Sequence, residues 1–153
     1  MAKRKGNKNS IRASGGPKGE SRIHPQVVSR HNEEFSFSLK YLDDSNAKFD
    51  YQDKDCNYYC MLLHRLRDLC NEKVSTLMKD RQKKKFFRMH LINWSEKRVS
   101  ENGFSELNEQ LQSCEPWQFQ LTSNEHGRVH GFFLGSTFYV VWLDPDHKLY
   151  PRG

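Results

Sequence analysis

The sequence has no long hydrophobic run, and nowhere does it approach the roughly 20 consecutive apolar residues that a membrane-spanning helix needs. Residues 1–34 carry positive charge but no apolar stretch of the kind found in secretory signals. Of 153 residues, 35% are hydrophobic and 29% are charged, a composition and length that suit one water-exposed domain. We therefore expect a cytoplasmic protein without membrane contact.

Cysteine is also scarce, and the spacing of Cys56, Cys60, Cys70 and Cys114 does not suit a disulfide framework. We expect four free thiols in a reducing compartment. Cys56, Cys60 and His64 are spaced four apart on one helical face, which leaves a zinc site as an alternative. Three ligands on one unbroken helix differ from the compact Cys-x-x-Cys arrangement of structural zinc sites. The main interpretation therefore has no metal and no cofactor.

Charge and aromatic residues are unevenly distributed. Residues 1–34 hold eight Lys/Arg against three Asp/Glu, whereas residues 35–153 hold 17 against 16. All 19 aromatic residues lie beyond residue 34, so the N-terminal segment has little apolar surface to bury. This predicts a flexible basic arm over residues 1–33 and a single α+β domain over residues 34–153. The arm either attracts nucleic acid or only increases solubility.

The folded part begins with alternating apolar residues over 35–41, which predict a strand. Residues 53–80 contain neither Gly nor Pro and repeat apolar residues at three- and four-residue steps, which predicts one long amphipathic helix. Ser105 is expected to cap a short helix that Pro116 ends. Residues 117–121, 128–134 and 137–143 alternate or run apolar between turn formers, which predicts an antiparallel meander. The predicted fold is an antiparallel sheet of four strands packed on one long and one short helix.

Residues 79–98 combine eight Lys/Arg with Phe, Met, Leu and Trp side chains. Basic groups mixed with aromatic ones hold phosphates and stack bases, although the same pattern fits a solvated helix whose aromatic residues face the core. The residues that we predict to bind RNA are Lys83, Lys84, Lys85, Arg88 and, after the last strand, Lys148.

Polar residues gather at one end of the predicted meander. Arg128 and His130 are two apart and leave the same face of their strand. With Gly135–Ser136 as a two-residue turn, Arg128 would pair with Leu143 and His130 with Val141. Metal-free cleavage of RNA needs a base, an acid and a cation for the phosphate. We predict Arg128 as the cation, His147 as the acid, His130 or Glu125 as the base, and Tyr150 as a phosphate-orienting or base-stacking group. The alternative is that Arg128 pairs with Asp144 or Asp146 and the histidines are ordinary polar residues.

The order of strand, helix and three-stranded meander, with Arg128 on the central strand of the meander and His147 and Tyr150 after the last, resembles the RelE/ParE-like superfamily of bacterial toxins, particularly its small mRNA interferases. The resemblance implies a compact fold, metal-independent cleavage of mRNA in the ribosomal A site and neutralisation by an antitoxin. It matches Arg128 to the phosphate-binding arginine, His147 to the C-terminal acid and Tyr150 to the base-stacking tyrosine. The chain departs from the family in its longer helix, its added basic segment and arm, and the lack of a clear catalytic glutamate. Residues 131–145 also look like uncharacterised proteins of bacterial mobile and defence regions.

The sequence thus predicts a toxin-like hydrolase, a metal-independent endoribonuclease acting on mRNA, with RNA, the ribosome and an antitoxin as partners. The first alternative is a nucleic-acid-binding protein of a bacterial mobile element or defence system that does no chemistry. A second is a purely protein-binding adaptor, for which the aromatic content is the main sign.

Overall fold

The computed structural model describes residues 33–123 and 125–151, so the predicted arm lies outside the described residues except for Glu33. Within these residues the chain forms an α+β domain, as predicted. The elements are β1 (Ser36–Ser38), a 3-10 helix (Ala47–Phe49), α1 (Cys56–Cys70), α2 (Val74–Lys79), α3 (Arg81–Phe87), β2 (His90–Leu91), α4 (Glu109–Gln112), β3 (Pro116–Gln120), β4 (Arg128–Leu134) and β5 (Thr137–Asp144).

The five strands form one mixed sheet in the order β1-β5-β4-β3-β2. The predicted antiparallel meander is present as β3, β4 and β5. The prediction of an entirely antiparallel sheet was wrong, because β1 pairs parallel to β5, where the hydroxyls of Ser36 and Thr137 lie 2.9 Å apart. No hairpin turn connects β1 to β5, so no local sequence signal fixes the direction in which β1 runs. The edge strand β2, from within the basic segment, was not predicted.

The predicted helix over residues 53–80 is two helices separated by residues 71–73. Asp55 caps the start of α1 by accepting a hydrogen bond from the Tyr58 N–H at 2.9 Å, and Asn71 is the C-cap. The backbone between the two helices forms a hydrogen bond with the residue just before β1: the Phe35 N–H donates to the Glu72 carbonyl at 2.9 Å. The prediction of one helix was wrong. Leu69 and Leu77, on either side of the break, are both fully buried, so the apolar pattern of the sequence continues across the break and does not reveal it.

A third helix begins where the predicted long helix was expected to end. Asp80 caps α3 through the N–H groups of Gln82 and Lys83. At its other end Arg88 adopts a left-handed conformation, with φ of 46°, and the Met89 N–H donates to the Lys84 carbonyl at 3.0 Å. This tight end turns the chain into β2, which pairs with β3.

The predicted short helix is present but begins later. Asn108, rather than Ser105, caps α4 by accepting from the Leu111 N–H at 3.0 Å. Pro116 does not end this helix directly; it is the first residue of β3, which suits its lack of an N–H.

The predicted register of β4 and β5 is right near the turn and wrong beyond it. Leu134 pairs with Thr137 across the Gly135–Ser136 turn, as expected. A β-bulge between His130 and Gly131 shifts the pairing by one residue, so His130 pairs with Trp142 and Arg128 with Asp144. The extra residue lies on β5, and β-bulges are not specified by turn length or alternation.

The sheet is covered on both faces. On one face, Leu69 of α1 and Leu77 of α2 pack with Phe119, Val129 and Phe138 of the strands. On the other face, the 3-10 helix, loops and α4 cover the sheet, and Phe49, Ile92 and Phe104 pack with Phe132 and Trp142. Phe49 stacks on Trp142 with ring centroids 4.4 Å apart. The loop-covered face is the one on which β4 and β5 carry His130 and Asp144.

Candidate nucleic-acid interface

Arg128 is the first residue of β4. The residue just before it, Gly127, packs closely against the backbone of β5. Gly127 has φ of +78°, and a Cβ there would lie 2.0 Å from the Asp144 carbonyl oxygen. Only glycine fits this approach. Arg128 is thereby placed between Asp144 of β5 and Gln120 of β3.

Arg128 and Tyr150, two of the four residues predicted to be catalytic, lie together. The guanidinium carbon is 5.2 Å from the centre of the Tyr150 ring, a cation–π contact. Burial, reinforced by the charge of Glu96, raises the pKa of the Tyr150 phenol. The phenol is therefore neutral near pH 7 and able to donate a hydrogen bond.

Two hollows meet at Arg128 and His90, and we call them together the basic cleft. The tyrosine hollow, of about 420 Å³, is lined by His90, Leu91, Asn93, Glu96, Arg98, Arg128, Tyr150 and Pro151. The lysine hollow, of about 400 Å³, is lined by Lys84, Lys85, Arg88, Met89, His90, Gln120 and Arg128. The lining includes five Lys/Arg side chains and one carboxylate, Glu96, which Arg98 holds at 2.9 Å. The cleft therefore has an excess of positive charge.

Three of the five residues predicted to bind RNA line the basic cleft: Lys84, Lys85 and Arg88. Lys83 lies on another side of α3, where it forms an ion pair with Glu72. Lys148 lies in the turn after β5, where its backbone N–H donates to Asp144 and its ammonium lies 3.8 Å from Asp146. Neither Lys83 nor Lys148 lines either hollow.

His130 lies in the interior, with none of its surface exposed, so it does not face the cleft. Its Nε2 lies 3.2 Å from Asp144 Oδ2. Burial lowers the pKa of His130, so the imidazole is neutral near pH 7 and its Nε2–H donates to the carboxylate. Burial alone would raise the pKa of Asp144, but hydrogen bonds from His130, Leu149 and Lys148 outweigh it and lower the pKa. This pair ties the end of β5 to β4, and we assign it a structural role.

His147 and Glu125, the other groups predicted to transfer protons, line neither hollow of the cleft. His147 has φ of 57° in the turn that follows β5, and its N–H donates to the Asp144 carbonyl at 3.4 Å. Glu125 lines a different hollow beside His126 and Asp146. The acid and the alternative base predicted from the sequence are thus not among the residues that line the cleft with Arg128.

The imidazole that lines the cleft is His90, which is not among the site residues predicted from the sequence. His90 is exposed on β2 and lines both hollows. Its Nδ1 donates to the Leu91 carbonyl oxygen at 3.0 Å. The Gln118 amide nitrogen lies 2.8 Å from its Nε2. A strand of two residues is too short to show a periodic pattern. The only signal for His90 in the sequence is its position within the basic segment, residues 79–98.

The residues proposed for zinc do not form a metal site. Cys56 Sγ and Cys60 Sγ are 4.0 Å apart on the exposed side of α1. Over residues 33–123 and 125–151, no three or more His, Cys, Asp or Glu side chains are placed to hold a metal ion together. The alternative with Cys56, Cys60 and His64 as ligands is therefore not supported.

Comparisons with protein-family models, curated proteins and solved structures found no match. No family is shown for this chain. The RelE/ParE-like resemblance accordingly remains a prediction from the residues that suggested it. In the part of the chain that the structure describes, every helix is too short or too polar to cross a membrane.

Proposed function

We propose that this protein binds RNA in the basic cleft and cleaves its phosphodiester backbone there, with Arg128 on the phosphate. The observation that carries the proposal is the position of Arg128, in the wall shared by two hollows and against the ring of Tyr150. A guanidinium presents two parallel N–H groups to two phosphate oxygens, and it compensates the charge that develops on them during cleavage.

The dimensions and chemistry of the cleft suit a single strand. Lys84, Lys85 and Arg88 would continue the phosphate contacts away from Arg128 along the lysine hollow. Tyr150 would stack on a base or donate to a phosphate oxygen from the tyrosine hollow. RNA is the expected substrate because its 2′-hydroxyl provides a nucleophile within the strand.

The test is a paired binding and cleavage assay on an oligoribonucleotide of about ten nucleotides. We expect Arg128→Ala to weaken binding by about tenfold or more. The slope of the logarithm of the binding constant against the logarithm of salt concentration should fall in magnitude by about one, because one phosphate contact is lost. Arg128→Lys keeps the charge but loses the two-oxygen geometry, and should recover binding more than cleavage. Arg67→Ala is the control, because Arg67 is an exposed arginine of α1 paired with Asp68, outside both hollows. Equal binding and cleavage by Arg128→Ala and Arg67→Ala would contradict the proposal.

A second candidate function is nucleic-acid binding without cleavage. It is favoured by the burial of His130 and by the lining of the two hollows, which does not include His147 or Glu125. A strand with 2′-deoxyribose throughout separates the two functions: a ribonuclease binds it without cutting it, whereas a pure binding protein leaves both strands intact. A toxin role, action on the ribosome and an antitoxin partner are further proposals, for which growth arrest on expression is the first test.

A further inference from the structure

We propose that His90 is the general base of RNA cleavage in the basic cleft and that the buried side chain of Gln118 positions it. This inference rests on the proposed ribonuclease function and names the residue that moves the proton. It assigns the chemistry to an imidazole that no sequence pattern indicated, in place of His130 and His147.

The position of His90 is the first observation. It lies at the junction of the two hollows and is one of only two residues, with Arg128, that line both. A phosphate held by Arg128 would therefore lie in the same space that the imidazole faces. A base within hydrogen-bonding reach of the hydroxyl that it deprotonates is the first geometric requirement of such catalysis.

The tautomer of His90 is the second observation. The Leu91 carbonyl oxygen can only accept, so the contact at 3.0 Å assigns the proton to Nδ1. The lone pair then lies on Nε2, the nitrogen available to take a proton. Fixing one ring nitrogen by a backbone carbonyl is a common way to set the reactive tautomer of histidine.

Gln118 is the third observation. Its side chain is 1% exposed, yet its amide nitrogen reaches the exposed ring of His90, at 2.8 Å from Nε2 and 3.1 Å from Nδ1. An atom this close to both ring nitrogens lies over the face of the imidazole, because a position in the ring plane would overlap Cε1. The lone pair of Nε2, which lies in the ring plane, is therefore left available. Its Oε1 is buried and has no hydrogen-bond partner among the described residues. A buried unpartnered acceptor costs stability, which calls for an explanation.

The unpartnered oxygen is explained if His90 gains a proton during the reaction. Rotation of the Gln118 amide would then turn Oε1 toward the face of the imidazolium, so the same side chain serves both protonation states. An oxygen that lies against the ring when the ring is charged stabilises the charged form at the moment when it is needed. Gln118 thus acts as a positioning residue, without touching the RNA.

The proposed reaction is a transesterification within the RNA strand. The 2′-oxygen attacks phosphorus, and an O2′–P bond forms as the P–O5′ bond breaks. His90 Nε2 takes the 2′-hydroxyl proton, while a water molecule protonates the departing 5′-oxygen. The hydroxide left by that water is neutralised by protonated His90, which restores the starting state. The products are a 2′,3′-cyclic phosphate and a 5′-hydroxyl, and no electrons are exchanged.

The test uses the full chain and measures cleavage, product ends and binding on the same oligoribonucleotide. We expect His90→Gln to slow cleavage by about 100-fold or more, the usual contribution of a general base, with RNA affinity within about twofold. Added imidazole should restore part of the rate of His90→Ala. His64→Gln, at an exposed histidine of α1, is the control and should cleave like the wild type.

Gln118→Leu tests the positioning role separately. We expect it to reduce the rate by about tenfold and to move the midpoint of the pH–rate profile, because the oxygen that would face protonated His90 is lost. Gln118→Glu supplies an acceptor at the same position and should retain more of the rate. Unchanged cleavage by His90→Gln would overturn the inference while leaving the ribonuclease proposal intact. Intact RNA with the wild-type chain would remove both, and RNA binding by the cleft would then support only the non-catalytic candidate.

Discussion

Replacement of Asp144 by asparagine is the sharpest test of the packing behind the basic cleft. The carboxylate accepts three hydrogen bonds: from the Lys148 N–H to Oδ1 at 2.7 Å, and from the Leu149 N–H and His130 Nε2 to Oδ2 at 2.9 and 3.2 Å. An asparagine has one acceptor oxygen, so in either orientation its amide NH₂ faces at least one backbone N–H.

The expected cost can be worked from these contacts. Hydrogen bonds to a charged group contribute about 1.5–3 kcal/mol each, and a buried donor left unsatisfied costs a further 1–3 kcal/mol. The side chain of Asp144 is 1% exposed, so water cannot replace the lost acceptor. We expect Asp144→Asn to lower the free energy of unfolding by about 3 kcal/mol, which corresponds to a fall in Tm of about 10 °C for a domain of this size.

Urea denaturation followed by tryptophan fluorescence measures this cost, because Trp142 is buried against Phe49 and pairs with His130. Asp146→Asn is the matched control. Asp146 lies two residues away, is about half exposed and forms ion pairs with Lys54 and Lys148 at the surface, so its loss should cost below about 1 kcal/mol. A change at Asp144 no larger than that at Asp146 would refute the reasoning.

Three further predictions concern pH, the backbone and the cation–π contact. Burial lowers the pKa of His130 in the folded protein. Below the value of about 6.5 typical of free histidine, the unfolded chain therefore binds more protons at this residue than the folded chain does. The free energy of unfolding should accordingly fall as the pH is lowered from about 7 to about 5. His130→Gln should flatten this dependence in urea titrations, and equal slopes would count against a neutral buried imidazole. Gly127→Ala should destabilise the fold by more than about 2 kcal/mol because its Cβ would meet Asp144 backbone at 2.0 Å; Gly135→Ala, also at positive φ but with open space, should cost only about 1 kcal/mol in the same assay. Tyr150→Leu should weaken RNA binding by about two- to fivefold through loss of the ring under Arg128, whereas Tyr150→Phe, which keeps the ring, should not.

Periodicity and turn chemistry were sufficient to predict the α+β class and the β3–β4–β5 meander, because both signals are local. They could not predict the break after Cys70, since Leu69 and Leu77 continue one apolar stripe while the Phe35 N–H bonds Glu72 from far along the chain. The direction of β1 and the short strand β2 likewise depend on distant pairing partners.

The candidate site was predicted only in part, for the same reason. Arg128 could be predicted to lie near Tyr150 because the approximate positions of β4, β5 and the turn after β5 are enough to bring the two residues to the same end of the sheet. The β-bulge then moved Arg128 from opposite Leu143 to opposite Asp144 and His130 to opposite Trp142. His90 could not be predicted, because its approach to Arg128 depends on the left-handed Arg88 that ends α3 and on the pairing of β2 with β3.

The central claim is that RNA is held in the basic cleft. Titration of the isotopically labelled chain with a short, non-cleavable 2′-O-methyl oligoribonucleotide, followed by NMR, tests it residue by residue. The account predicts that the largest shifts occur at Lys84, Arg88, His90, Arg128 and Tyr150, and that they weaken as salt is raised. Shifts concentrated elsewhere, for example around Glu125 and His126, with the cleft unaffected, would contradict it.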